Sequence, residues 1–174
     1  MAGIELETER LILRQPVGDD LESRHALVAG EEMRRYLGRE PPSLEDSFNR
    51  LLRDAGCWAL FGWGSFMVFE RASRVHVGGC GLFRGARGLG NDFDPFPEAG
   101  WVIGHDRWGR GYATEAMTAI LGWSEATHGI GRTVCMIAPG NGASERIAAK
   151  LGYRPIGEGQ YKGDEIMRYA RAAP

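Results

Sequence analysis

The chain has 174 residues, with 21 Lys and Arg against 23 Asp and Glu, giving a formal net charge of −2. That length predicts one domain over 1–174, and 43% hydrophobic with 25% charged residues excludes a disordered, collagen-like or coiled-coil chain. The near-neutral balance lacks the basic footprint of a nucleic-acid binder, and no apolar run approaches the ~18 residues of a membrane helix.

Residues 8–15 (TERLILRQ) read as a first strand, ended by a turn at Pro16, Gly18 and Asp19. Asp19 or Asp20 caps a helix predicted to run to about Gly30. Ser43 opens a second helix as N-cap, with Asp46 three residues on. Leu44, Phe48, Leu51 and Leu52 form its expected apolar stripe, and Gly56 its expected end. The period then changes to two. Residues 64–70 and 75–83 read as a hairpin turned at Ala72, Ser73 and Arg74. A glycine-rich excursion follows over 85–97. Residues 98–104 form the predicted fourth strand, 111–127 a helix, 133–138 the fifth strand, and 143–151 a short helix ended by Gly152. The tail, 153–170, holds two more strands about a turn at 157–163.

This order predicts an α+β domain. About seven strands make a mixed central sheet flanked by helices, with a parallel crossover between the fourth and fifth. Cys57, Cys80 and Cys135 have no paired spacing, so each reads as a small buried hydrophobe. The four histidines show no metal-ligand spacing, and no metal is expected. The first residues carry acids where a secretion signal needs bases, which predicts a cytoplasmic chain. Trp58, Trp63, Phe66, Phe83 and Phe93 read as core aromatics more readily than as pocket lining.

The stretch that carries chemistry is 101–116, WVIGHDRWGRGYATEA. A strand enters a glycine turn and then a helix. Free backbone N–H groups and the positive helix end converge there, as a phosphate requires. Gly109 and Gly111 leave the backbone open to close approach, and Ala113 helps by being small. No Gly-Lys-Ser/Thr ending is present, so a mononucleotide P-loop is a poor match. The spacing gives Gly109-x-Gly111-x-x-Thr114, where a dinucleotide site would need a third glycine.

The motif Trp108-Gly109-Arg110-Gly111-Tyr112-Ala113 resembles the pyrophosphate turn of the GNAT superfamily of N-acetyltransferases. Tryptophan replaces the Gln/Arg of the first position, as in the RimJ/RimL-type branch. Two further segments carry the resemblance: Thr8 to Arg14 (TERLILR), and Asn141-x-x-Ser144 followed by Lys150-Leu151-Gly152-Tyr153. Together they span most of the chain. The resemblance implies the GNAT fold, with the fourth and fifth strands splayed to admit acetyl-CoA as acyl donor. Pantetheine would lie along Trp101, Val102 and Ile103. Pyrophosphate would sit on Trp108, Gly109, Arg110, Gly111, Tyr112, Ala113 and Thr114. Asn141 would reach the arm or the acceptor side of the cleft, and Ser144 would border the arm.

The resemblance further implies direct transfer to an amine, of a protein N-terminus or a small molecule. Glu98 is then the candidate base, the amide of Val102 or Ile103 the oxyanion donor, and Ser144 the acid for the leaving thiolate. The helix position where many relatives carry a tyrosine acid is Ala148 here, and Tyr153 reads as core. Arg110 and Arg146 are candidates for CoA phosphates; Arg84 and Arg87 could bind an acidic acceptor or the CoA 3′-phosphate, but default to a solvated loop. His105 reads as a turn residue. Asp92, Asp94 and Glu98 hint at a cationic acceptor. A homodimer is compatible with the family. The competing reading is a non-catalytic acyl-CoA-binding sensor or scaffold on the same fold.

Overall fold

A computed structural model of the chain describes residues 3–33 and 40–172. Its strands are β1 (Glu5–Glu7), β2 (Leu11–Arg14), β3 (Ser65–Glu70), β4 (His76–Phe83), β5 (Glu98–Ile103), β6 (Arg132–Ile137), β7 (Arg154–Tyr161) and β8 (Asp164–Ala172). The longer helices are α1 (Leu21–Ala29), α2 (Leu44–Phe61), α3 (Tyr112–His128) and α4 (Gly142–Lys150). The eight strands form one sheet in the order β1-β2-β3-β4-β5-β6-β8-β7. All neighbours are antiparallel except β5 and β6, the strands joined through α3.

Alternation along the strands buries both faces. Leu11, Leu13, Phe66, Val68, Cys80 and Leu82 meet Ala113, Ala116, Met117, Ile120 and Leu121 of α3 in one apolar cluster. Ile12 and Met67, which point the other way, are equally buried. The three cysteines are buried and free, and Tyr153, Phe66 and Phe93 are among the most buried side chains. Among the described residues, no helix is long and apolar enough to cross a membrane.

Four expectations change. The sheet has eight strands, because Glu5–Glu7 pairs with β2 as an edge. Two glutamates in three residues give no strand signal, and pairing with β2 supplies the conformation instead. α2 runs through Gly56 to Phe61, and Gly62 closes it with φ +74° and an N–H donated to Trp58 O.

The apolar stripe of α2 is also misassigned. Only Leu51 of the four is buried, whereas Leu44, Phe48 and Leu52 are exposed. The inward line is Ser47, Leu51, Asp54 and Cys57. Its polar members are paired, Ser47 Oγ with His25 Nδ1 at 3.0 Å and Asp54 Oδ2 with Arg24 Nη2 at 2.6 Å. Last, the β7–β8 turn is only Lys162 and Gly163. Gly157 lies inside β7, at a register shift opposite Arg168.

Candidate active site

β5 and β6 touch at one register pair, Glu98 with Val134, supported by the Val134 N–H bonded to Pro97 O at 3.0 Å. Beyond that pair they diverge, and the sheet opens. Two bonds fix which way the β5 backbone faces. Pro97 O turns toward β6, and the Gly104 N–H turns toward Val77 O of β4, at 2.9 Å. Alternation between them aims the main-chain groups of Trp101 and Ile103 into the opening and those of Val102 at β4. Val102 is therefore no oxyanion donor: its amide is spent on the Gly79 side of the sheet. Trp101 and Ile103 hold the open edge.

Two indoles border that edge. Trp101 Nε1 donates to Ser144 Oγ at 3.3 Å, spanning from β5 to the first turn of α4. Asn141 is the N-cap of α4, its Oδ1 accepting from Ser144 N at 3.1 Å. Ser144 and Asn141 thus share a helix start beside the opening. Trp108 Nε1 donates to Ile103 O at 2.6 Å, so this motif residue anchors the turn to β5. Ile103 keeps its N–H on the open side.

The turn ends β5 with a short 3-10 segment, His105–Arg107, and His105 packs edge-on to Trp108. Gly109 and Gly111 have φ +74° and +80°, a region that an L side chain enters at a cost of ~1–2 kcal/mol. Gly111 is the N-cap of α3 and gives it no side-chain bond, so the first amides of the helix stay free. A Cβ on Gly109 would meet no protein atom within 4 Å. The backbone here is open to a ligand, and free amides at a helix start suit a phosphate.

A network missed at the sequence level holds this turn. Glu115, on the first turn of α3, accepts from Thr8 Oγ1 at 2.6 Å and Arg10 N at 2.9 Å through Oε1. Its Oε2 accepts from Arg10 Nε at 2.7 Å. The other arm of Arg10 donates to Arg110 O at 2.9 Å. Burial works to raise the Glu115 pKa, but the bonds from Thr8 and Arg10 outweigh it and hold the carboxyl below its ordinary range. The Thr-Glu-Arg and Ala-Thr-Glu-Ala segments, more than 100 residues apart, are two halves of one clamp. Their shared occurrence in the sequence was the available signal.

At the closed end of the opening lies Glu98. It is 3% exposed, not a solvated strand-end carboxylate. Arg87 Nε contacts Glu98 Oε2 at 2.5 Å, so Arg87 belongs to a buried ion pair, not to a solvated loop. Burial works to lower the Arg87 pKa; its bond to Glu98 and the Glu98 charge reverse this and raise it. Gly85 is packed so close that a Cβ there would collide with Glu98 Oε2. Arg84, by contrast, stays exposed and donates to Pro95 O.

The acidic hint dissolves in the same region. Asp94 accepts from the amides of Arg87 and Gly90, each at 3.1 Å, and Asp92 pairs with Arg168 at 2.7 Å. These carboxylates are engaged within the loop itself and by Arg168. Tyr153 is buried and its hydroxyl shares a hydrogen bond with Thr133 at 2.7 Å, a core role. Arg146 has its guanidinium near Gly142, at the start of α4. Among the described residues no cluster of His, Cys, Asp and Glu could hold a metal ion.

Comparison with known proteins agrees with this geometry. Residues 10–154 match the family model described as the acetyltransferase (GNAT) domain. A Bacillus subtilis (strain 168) protein called an uncharacterized N-acetyltransferase, YoaA, is 27% identical over 156 residues, covering 87% of this chain and 84% of that protein. A putative GNAT-family acetyltransferase of Bordetella pertussis superposes with a TM-score of 0.87 at 30% identity, covering 97% of this chain and 99% of that one. The RimL ribosomal L7/L12 α-N-protein acetyltransferase shares the fold, with a TM-score of 0.78 at 17% identity, over 99% of this chain and 96% of its own. A sheet that parts between β5 and β6, a free-amide turn at the end of the parting strand, and a family match over that whole region converge: the chain belongs to the GNAT acetyltransferase family and is an acyltransferase.

Proposed function

We propose that this chain is an acetyl-CoA-dependent N-acetyltransferase of RimJ/RimL type, working as a single domain on a primary amine. The observation that carries the reading is the single-pair contact of β5 with β6. It leaves the main-chain groups of Trp101 and the N–H of Ile103, whose carbonyl already accepts from Trp108, to bond a pantetheine arm as a missing strand would. The free amides from Gly109 through Ala113 lie at the outer end of that edge, where the arm's pyrophosphate would sit.

The chemistry then divides among named groups. The acceptor nitrogen attacks the thioester carbonyl carbon, a C–N bond forms, and the C–S bond breaks with its electron pair leaving on sulfur. Glu98 removes the amine proton, directly or through water, and later returns it to solvent. The Ile103 N–H, or that of Trp101, donates to the oxyanion. Ser144 Oγ accepts from the Trp101 indole, which leaves its own proton free to donate to the departing thiolate, and the serine takes a proton back from solvent. Net products are the N-acetyl amine and CoA thiol.

Acetyl-CoA at 100 times its dissociation constant should add about 2.7 kcal/mol of stability, read as a rise in Tm. Free thiol should appear when a productive amine is added. A Tm rise without thiol release from any amine or peptide would support a sensor instead. No rise would remove acetyl-CoA altogether.

A further inference from the structure

The charge around Glu98 is not what the sequence of the 85–98 loop suggests. Phe83, the cross-strand partner of Glu98, carries two guanidiniums over its ring. Arg53 Cζ lies 4.4 Å from the ring centroid and Arg87 Cζ 5.7 Å. Arg87 also lies 4.6 Å over Tyr161, at the end of β7. Arg24 and Arg53 share Asp54, which is fully buried, at 2.6 and 3.2 Å. Arg50 adds a fourth guanidinium, electrostatically coupled to Arg53, Arg24 and Arg87. Four guanidiniums thus gather around two carboxylates, Asp54 and Glu98.

Two of the four have unspent capacity. Arg53 Nε is buried with no hydrogen-bond partner among the described residues, a donor left unsatisfied. Arg50 is exposed and lies one helical turn before Arg53 and Asp54 on α2, so its guanidinium stands on the same side of that helix. Lys162, on the β7–β8 turn, lies near enough to Asp46 at the start of α2 to influence it. Asp46 itself is occupied by Ser43.

The cluster cannot serve the phosphates of CoA. The phosphate turn follows Ile103, and Glu98 lies five residues back along β5, roughly 17 Å at 3.3 Å per residue. An anion held by this cluster would lie at the Glu98 end of β5, the end to which the transferase reading assigns the acceptor amine. We propose that Arg50 and Arg53, with Arg87 behind them, form an anion subsite that selects acceptors bearing a carboxylate or phosphate a few bonds from the reacting amine. This inference rests on the transferase reading, since it assigns the acceptor class of that same site. It also explains the spare donors: an oxyanion would take Arg53 Nε and neutralise the excess charge.

The test is a matched acceptor panel assayed by thiol release with acetyl-CoA. Glycine, β-alanine and 2-aminoethyl phosphate are compared with glycinamide, β-alaninamide and ethanolamine, and with 1,3-diaminopropane. The anionic member of each pair should lead in kcat/KM by about tenfold or more, an advantage that shrinks as salt rises. The carboxylate and phosphate arms name the natural group. Arg50→Gln, which breaks no ion pair seen among the described residues, should cut that preference several-fold by raising the acceptor KM. Arg53→Gln should cut it further, with Tm recorded to check folding. Equal or better rates with the neutral or cationic amines would overturn the subsite while leaving the transferase intact. If no amine releases thiol, calorimetric titration of 2-aminoethyl phosphate and β-alanine into the CoA-saturated protein decides. Saturable binding lost in Arg50→Gln keeps the subsite without the transferase, and no binding removes the subsite as well.

Discussion

Glu98→Gln should lower kcat by about 10²- to 10⁴-fold, the usual contribution of a positioned general base. KM for acetyl-CoA should change little, since the thioester arm is bound by backbone and not by this carboxylate. The difficulty is that Glu98 also belongs to a buried pair. Its side chain is 4% exposed and that of Arg87 is 11%. Removing one partner of such a pair leaves the other charge uncompensated, at a cost of about 3–5 kcal/mol, less where glutamine still accepts a bond. A stability loss alone would therefore say nothing about catalysis. The double variant Glu98→Gln with Arg87→Gln separates the two. Stability should recover because no lone buried charge remains, and kcat should not. Recovery of kcat together with Tm would mean that Glu98 acts only by holding the loop.

Glu115→Ala should raise KM for acetyl-CoA by about ten- to a hundredfold and destabilise the fold by roughly 2–3 kcal/mol. One carboxylate holds Thr8, the Arg10 amide and the Arg10 guanidinium, and Arg10 in turn holds Arg110 O inside the phosphate turn. Without it Arg10, which bonds Arg110 O and lies 4.9 Å over the Tyr112 ring, loses the carboxylate that holds it in place, and the amides are no longer pre-aimed. The acceptor KM should move far less, because the clamp lies at the opposite end of β5. The clamp also has a pH signature. The folded-state pKa of Glu115 lies below the ordinary value of 4.5, so its stabilisation is fully present above that value. It is lost as pH falls from there through the folded-state pKa. Acid unfolding of the wild type should thus be steeper than that of Glu115→Gln, compared by circular dichroism between pH 5 and pH 2.

How much of this was legible beforehand depended on whether local pattern or distant contact set the feature. The strand-turn-helix at 101–116 was readable because its signal is local: glycines where φ must be positive, then a helical period. The parallel pair and its crossover followed from element order. The three-residue β1 was not readable, because an acidic edge strand is made by its partner. The inward face of α2 was misjudged for a related reason. A hydrophobicity pattern assigns Leu44, Phe48 and Leu52 inward, but Asp54 and Ser47 go there since Arg24 and His25 of α1 wait for them. Charge in the 85–98 loop failed likewise. Counting carboxylates could not reveal that Arg87, Arg168 and backbone amides already consume them. The candidate residues Glu98, Asn141 and Ser144 border the opening, whereas the choice between Val102 and Ile103 needed the strand's hydrogen-bond phase.

The most direct test of the account is a calorimetric titration of CoA into the wild-type protein and into Gly109→Val. An added Cβ meets no protein atom within 4 Å there, so the positive φ and a bound phosphate are what oppose a side chain. The account predicts saturable one-to-one binding to the wild type, weakened about tenfold or more in the folded variant. Absent binding to the wild type, or equal affinity for both proteins, would contradict it.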